Sequence, residues 1–312
     1  MSCVGAGNTL PPRVIKGTAP MIKLSVRKDL LTDWLLLAPL TLFYVSMVIV
    51  PLILIFLCSL GLLPLTPGLP QGFSLEGYRR FFFTSGAPYL FSFGFTFLVT
   101  LVAALLATLM GYTMALFLKL RKPRWSKLFI SMARFPLFVP YLIASFMWWT
   151  LLYPKGYIPM ILKNAFGFFT PLTNDPYGLG IIICAIWMKF SVAFSIMHSQ
   201  FQMLDPDLEA AARNLGASTW QVIRKIYFPL TIYGALSSAA AIFLSVFIAF
   251  SIAFVHGASW PRFLSMLIYR DAVERGDWIM GYTISVIYVF VAFFISFIYM
   301  KILTSHERRR AR

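Results

Sequence analysis

Residues 205–229 read Asp205-Pro206-Asp207-Leu208-Glu209-Ala210-Ala211-Ala212-Arg213-Asn214-Leu215-Gly216-Ala217-Ser218-Thr219-Trp220-Gln221-Val222-Ile223-Arg224-Lys225-Ile226-Tyr227-Phe228-Pro229. The pattern predicts a short helix. Asp205 can cap it and Pro206 suits its first turn. Asp207 and Glu209 favour the positive end of its dipole. Gly216 stands where a helix closes through a left-handed residue. Ser218-Thr219-Trp220-Gln221 then has the spacing of a capping box and opens a second helix. That helix runs through Val222, Ile223, Lys225 and Ile226 and is expected to end at Tyr227-Phe228-Pro229-Leu230. Helix, glycine bend, helix describes a small rigid element. Leu204, Leu208, Ala211, Ala212 and Leu215 give its first helix one apolar, small-residue face, suited to docking in a partner's groove.

Both flanks of this polar stretch are apolar, and the whole chain follows them. Of 312 residues, 59% are hydrophobic and only 12% charged, with a mean hydropathy of +0.78. So much apolar surface exceeds what one water-soluble core can hold, so the bilayer is the expected solvent. A soluble enzyme, a disordered tail protein and a secreted disulfide scaffold are excluded. A membrane helix needs about 20 mostly apolar residues. Six segments qualify, at about 34–60, 89–118, 129–153, 179–199, 231–256 and 279–302. Pro39 and Pro51 should kink the first, Pro136 and Pro140 the third. The expected class is an all-α polytopic membrane protein. It comprises a tail (1–32), a six-span domain (33–303) containing the 200–230 loop, and a basic C-terminal tail (304–312).

The net charge of +16 is arranged by side. Arg13, Lys16, Lys23, Arg27 and Lys28 precede the first span. Lys119, Arg121, Lys122, Arg124 and Lys127 lie between the second and third. Arg213, Arg224 and Lys225 lie between the fourth and fifth, and Lys301, Arg308, Arg309, Arg310 and Arg312 close the chain. The opposite side holds fewer cations: Arg79, Arg80, Lys155, Lys163, Arg262, Arg270 and Arg275. The positive-inside rule places both termini and the 205–229 loop in the cytoplasm. The charge is thus topogenic, and no aromatic-basic platform supports nucleic-acid binding.

On the other side, residues 61–72 (Pro64, Pro67, Gly68, Pro70, Gly72) read as a linker. Ser74 offers a cap to a helix over Leu75-Glu76-Gly77-Tyr78-Arg79-Arg80-Phe81-Phe82-Phe83, read either as an interfacial helix or as ordinary aromatic belt. Residues 1–28 are expected to be poorly ordered. Cys3, Cys58 and Cys184 have no metal-ligand spacing; Cys58 and Cys184, inside apolar runs, read as packing residues.

The spans lack chemistry of their own. Of the eleven acidic residues, only Asp33 and Asp277 reach segment edges. A carrier driven by ions or protons usually needs a carboxylate or histidine relay at mid-depth. No HExxH helix and no GxxxxGK[ST] phosphate loop occurs. If the chain moves a solute uphill, the energy comes from another subunit.

The 205–229 stretch resembles the EAA loop of ABC importer membrane subunits. The family pattern is E-A-A-x-x-x-G, a spacer, then an apolar-x-Leu-Pro ending. Ala211, Ala212, Gly216, Ile226, Phe228 and Pro229 match it. The family's glutamate register falls on Ala210, and the nearest glutamate, Glu209, lies one residue earlier, about 100° around a helix. The family's glutamate contact to the ATPase therefore does not transfer to Glu209, whereas the helix and the glycine bend do. Ser74-Leu75-Glu76-Gly77-Tyr78-Arg79-Arg80-Phe81 is similar to the segment such permeases carry before their second span, and the resemblance extends over about 34–302.

The resemblance implies a type I ABC importer permease fold (MetI-like) in a bacterial or archaeal inner membrane, and no enzyme activity. It makes Asp205, Asp207, Leu208, Glu209, Ala211, Ala212, Leu215, Gly216 and Pro229 a coupling loop for a cytoplasmic ATPase dimer. ATP and Mg²⁺ would sit on that partner, and this chain would hold no cofactor, metal or catalytic residue. A second permease subunit, identical or related, an extracytoplasmic binding protein and membrane lipid complete the expected partners. Leu215-Gly216-Ala217-Ser218 is similar to permeases of the spermidine/putrescine class, whose relatives handle iron, thiamine and phosphonates. A sugar-type permease, a self-contained carrier or channel, and a membrane scaffold are the alternatives.

A few residues within spans remain. Lys189, mid-span in Trp187-Met188-Lys189-Phe190-Ser191, reads either as a translocation-path residue or as a snorkelling lysine bonded to carbonyls. Arg134 reads as snorkelling. Gly234, Ala235, Ser237, Ser238, Ala239, Ala240 and Ala241 form a small-residue face that permits close helix approach. Ser237 and Ser238 are candidates for the path or for helix packing. His198 and His256 read as interfacial hydrogen-bonding residues.

Overall fold

Why an apolar chain with this many prolines still satisfies its backbone is visible in a computed structural model. It describes residues 30–66, 72–84, 88–167, 172–257 and 260–310, with backbone alone for 30–36, 166 and 302–310. Residues 1–29, Cys3 and the linker's Pro67, Gly68 and Pro70 lie outside the described residues. The described residues are helices joined by short connections.

Residues up to Pro51 form one unit and those from Leu52 onward another. The first holds α1 (Leu30–Tyr44) and a π turn (Val45–Ile49). Pro51 cannot donate to the carbonyl four residues back. The wider turn meets this need, because Val50 N–H reaches back five residues to Val45 O. Thr41 Oγ1 bonds Leu37 O and Ala38 O at 3.0 Å, and Ser46 Oγ bonds Phe43 O at 3.0 Å, so hydroxyls in this apolar helix use its own carbonyls.

The helix continues as α2 (Val50–Ser59), and α3 (Glu76–Phe83) follows. Leu75, not Ser74, stands at the N-cap of α3; Ser74 Oγ, one residue earlier, accepts the Glu76 N–H at 3.2 Å. Of the aromatic run, Phe81 is buried and stacks on Tyr89 at 5.8 Å, while Phe83 is exposed.

The centre of the second unit is a helix pair, α4 (Pro88–Arg121) and, further on, α8 (Leu179–Gln202). Between them come α5 (Ser126–Arg134), a 3-10 turn (Phe135–Phe138), α6 (Tyr141–Leu152) and α7 (Tyr157–Phe166). A Cβ on Gly111 of α4 would lie 2.5 Å from Ala193 Cβ and 2.6 Å from Phe194 N of α8. Only glycine permits this approach, and Ala103, Ala104, Ala107 and Ala115 extend the same close-packed face. Asp175 starts α8 by accepting Leu179 N–H at 2.8 Å and Gly180 N–H at 3.3 Å.

The third span is interrupted at its prolines, as expected: Ser126–Phe138 and Tyr141–Ala165 meet at 104°. Pro140 drives the corner, since the residue before a proline avoids helical backbone, and Val139 is extended. Two expectations are corrected: the loop's second helix, opened by the Ser218–Gln221 capping box, does not end at Pro229. After α9 (Pro206–Asn214) and α10 (Thr219–Val222), a π turn (Ile223–Tyr227) leads into α11 (Phe228–Phe247), giving one helix over Thr219–Phe247. Phe228 N–H bonds Ile223 O, five back, so the turn before Pro229 is widened rather than broken. The fifth span also does not reach residue 256. It stops at Phe247, and a separate α12 (Ser251–His256) follows. Ser265 Oγ satisfies the Ala249 carbonyl at that break, at 3.1 Å.

The chain closes with α13 (Leu264–Ile268), a π turn (Tyr269–Glu274) and α14 (Trp278–Arg310), whose apolar stretch Trp278–Lys301 matches the expected sixth span. Asp271 is buried in this corner. It accepts from Arg270 at 2.7 and 2.9 Å, Arg275 at 3.4 Å and Tyr89 OH at 3.0 Å. Beside it Arg80 of α3 bonds Asp277 at 2.5 Å, ahead of α14. Asp277 thereby holds Arg80's pKa above the ordinary guanidinium value. Burial opposes the charge on Arg270, and Asp271 outweighs that penalty and raises its pKa. His256 is fully buried and its Nε2 meets Ser145 O at 3.0 Å. It packs between α12 and α6, hydrogen-bonded as expected.

Candidate functional site

The 205–229 loop is built from its caps inward. Asp205 Oδ1 accepts Asp207 N–H at 2.9 Å, and Pro206 occupies the first turn of α9. At the far end Gly216 has φ +82°. Its N–H reaches Arg213 O at 2.9 Å and Ala217 N–H reaches Ala212 O at 3.0 Å. These are the two bonds of a Schellman closure. Ser218 Oγ accepts Gln221 N–H at 3.3 Å, while Gln221 Oε1 accepts Ser218 N–H at 2.7 Å, so the capping box is complete. Several of the orphan groups at the two helix ends thus find partners within the loop, which stiffens the bend.

The loop is also fastened to the bundle. Leu204 is buried with Phe201, Val222 and Tyr227, and Ala212 packs partly against them. Phe201 meets Tyr227 edge-on at 5.7 Å and Tyr112 at 5.4 Å. Tyr112 OH shares a hydrogen bond with Thr231 at 3.0 Å, and Lys119 Nζ donates to Leu204 O at 3.3 Å. Glu209 closes the arrangement. It accepts from Arg213 at 2.7 and 2.8 Å and from the Tyr227 hydroxyl. Burial opposes its ionisation, but the Tyr227 hydroxyl and the Arg213 guanidinium outweigh that and hold its pKa below the ordinary carboxylate range. Glu209 therefore faces its own chain.

The single apolar docking face expected on α9 is accordingly split. Leu204 and Ala212 turn inward. Leu208, Ala211 and Leu215 remain exposed, Leu215 at 88%, together with Trp220 at 66%. The inward half is drawn by the aromatic cluster at Phe201 and Tyr227. Asp205, Asp207 and Pro229 are also exposed. What the loop presents is a rigid, partly apolar knob with acidic groups near one end.

Lys189 is 4% exposed and sits where α6, α8 and α11 meet. Its ammonium donates to Tyr141 OH and to Ser245 Oγ (2.5 Å), and lies 4.5 Å from the Tyr141 ring centre. Its named partners are hydroxyls and an aromatic face rather than carbonyls. Ser237 and Ser238 are buried on α11, and their Oγ atoms have no hydrogen-bond partner among the described residues. No bond joins them to Lys189. Gly234 lies against Gln200 of α8, which fits the close approach expected of the small-residue face.

Sequence reasoning missed Tyr227, Lys119, Tyr141 and Ser245. Only Tyr227 carried a signal, as the one hydroxyl-bearing aromatic residue in the loop's second helix. The partners of Lys189 come from helices 48 and 56 residues away, beyond any local pattern.

The family model for "binding-protein-dependent transport system inner membrane component" matches residues 107–312. The spermidine/putrescine transport system permease protein PotB of Haemophilus influenzae is 22% identical over 185 residues, which is 59% of this chain and 65% of that protein. The probable sulfate transport system permease protein cysT of Chlorella vulgaris is 26% identical over 202 residues, covering 62% of this chain and 71% of that one. The chain thus spans about two thirds of the length of these relatives. A crystal structure of a bacterial alginate ABC transporter in complex with a periplasmic protein carrying an alginate pentasaccharide aligns with TM-score 0.72 and 17% identity. The alignment covers 92% of this chain and 98% of that one. The fold is therefore shared with an ABC importer permease.

Proposed function

From the premise that the chain belongs to the family of binding-protein-dependent transport system inner membrane components, we propose that it is the permease subunit of an ATP-driven importer. It lines the route of a small polar solute and couples to a separate ATPase through residues 205–229. The single observation that carries this reading is the loop itself. It is a helix closed by caps at both ends, fastened inward by Glu209 and Leu204, that leaves Leu208, Leu215 and Trp220 in the open. A surface element this rigid transmits a push, and its uncovered apolar tips suit a cleft on a partner.

Both termini and this loop face the cytoplasm in this reading, in line with the distribution of basic residues. A P-loop ATPase dimer supplies ATP hydrolysis, a second permease completes the pathway, and an extracytoplasmic binding protein delivers the solute. Lys189, Ser237 and Ser238 border the pathway. Polyamines are the first solutes to test, on the Leu215-Gly216-Ala217-Ser218 wording and the PotB relative. Sulfate is the second, on the cysT relative and the buried cation. The test is uptake of labelled solute into proteoliposomes holding the chain with its co-purifying subunits. Accumulation that requires both ATP and the binding protein supports the reading. Accumulation without nucleotide would assign the chain to self-contained carriers.

A further inference from the structure

At the end of the bundle that carries α9, a cavity of about 450 Å³ opens between the end of α4, the start of α5, the end of α8 and Pro206. Buried Leu118, Phe201 and Leu204 make it apolar on one side. Its polar lining is Lys119, Lys122, Ser126, His198 and Gln202, with no aspartate or glutamate among the residues that border it. Neither lysine enters an ion pair among the described residues. Lys119 spends one donor on Leu204 O, and Glu209, the nearby carboxylate, is already held by Arg213 and Tyr227. Arg134 adds positive potential beside His198. A hydroxyl, an amide and an imidazole stand with two ammonium groups around one hollow, so the cavity offers hydrogen-bond donors and positive charge together. Such a set is complementary to a compact anion with several acceptor oxygens.

We propose that this cavity is a phosphate-binding site, with Lys119 and Lys122 as its charged ligands and Ser126, His198 and Gln202 as its neutral ones. The chemistry is that of a phosphate ester or free phosphate. The surroundings point to the headgroup of an anionic phospholipid as the source. Trp125 is 69% exposed beside the cavity, and α5 presents exposed Leu128, Phe129 and Met132 along with Lys127. This is the make-up of a helix lying at headgroup depth, where acyl chains can run past its apolar side. Basic pockets between membrane helices hold anionic headgroups by the same chemistry. Occupancy would join α4, α5 and α8 at Leu204 and Pro206, the root of the 205–229 loop, and so brace the loop. The site does not depend on the transport reading.

The test is native mass spectrometry of the purified full chain, titrated with phosphatidylglycerol, with phosphatidylcholine and, separately, with inorganic phosphate. Phosphatidylglycerol should be retained in preference to phosphatidylcholine. Lys122→Asn should weaken retention about fivefold, the loss expected for one interfacial lysine. Asparagine tolerates the left-handed backbone at this position, where φ is +43°. Lys122→Arg should restore binding, Lys119→Gln should weaken it independently, and Arg124→Asn, outside the cavity, should leave it unchanged. Millimolar phosphate that displaces the lipid would identify the phosphate group alone as the ligand. Lipid that resists displacement would identify the whole headgroup, and either result upholds the site. The proposal is overturned if neither phosphatidylglycerol nor phosphate binds preferentially. It is equally overturned if Arg124→Asn loses as much as Lys122→Asn, which would mean diffuse surface attraction.

Discussion

Gly216 is held at φ +82° with nothing within 4 Å of where a Cβ would stand. A substitution there meets only backbone strain, of about 1–2 kcal/mol for a residue with a Cβ and more for a β-branched one. In the transport reading, Gly216→Val is expected to leave the chain in the membrane while weakening recovery of the proposed ATPase several-fold. Gly216→Asn should retain most of it, because asparagine tolerates this backbone. Wild-type recovery by the valine variant in a quantitative pull-down would refute the rigid-bend account. Glu209 gives a second residue-scale prediction. Its pKa in the folded chain lies below that of an ordinary glutamate, because the Tyr227 hydroxyl and Arg213 outweigh burial. The stability it contributes is therefore present above that value and lost as pH falls through its folded pKa. Amide exchange of residues 207–214, corrected for intrinsic rate, should stay slow from neutral pH to the ordinary carboxylate range and quicken below it. Glu209→Gln should remove that pH dependence.

At the scale of elements, the corner around Asp271 joins α4, the turn at 269–274 and the start of α14. Asp271 is 1% exposed and receives four hydrogen bonds from three side chains. Such a network adds little net stability over an apolar equivalent, yet losing one member strands a charge. Asp271→Ala is expected to destabilise the chain by about 3–5 kcal/mol. Adding Arg270→Met should recover part of the loss, and thermal unfolding in detergent checks both.

Much of this scale was legible in the sequence. Asp205, Pro206, Gly216 and the Ser218–Gln221 box marked the loop's helices because caps act within a few residues. The breaks were less legible. Pro229 looked like a stop, but a π turn one residue ahead absorbs it. Phe247–Ser251 carries no glycine or proline, and its break depends on Ser265 from beyond the next helix. The split of the α9 face was hidden for the same reason: Phe201 and Tyr227 decide it, and both lie outside α9.

For the whole molecule, the close α4–α8 pair, the 104° corner and the fastened loop define one frame around the buried Lys189. An ammonium at that depth is retained at a cost, and methionine matches its length without the charge. In the transport reading, Lys189→Met should leave expression and ATPase recovery intact and reduce solute uptake at least tenfold. Unchanged uptake would make Lys189 a packing residue. Polar partners reached across such sequence distances explain why the loop could be read from sequence and the surroundings of Lys189 could not.

The most direct test of the central claim is an affinity pull-down from mildly solubilised native membranes, comparing the wild-type chain with Leu215→Asp and identifying partners by mass spectrometry. Leu215 is the most exposed apolar residue of the loop, so the charge should disrupt docking without disturbing the fold. The account predicts a stoichiometric P-loop ATPase with the wild-type chain and its loss with the variant. A chain recovered alone, in detergent that keeps a control importer intact, or an ATPase indifferent to Leu215→Asp, would contradict it.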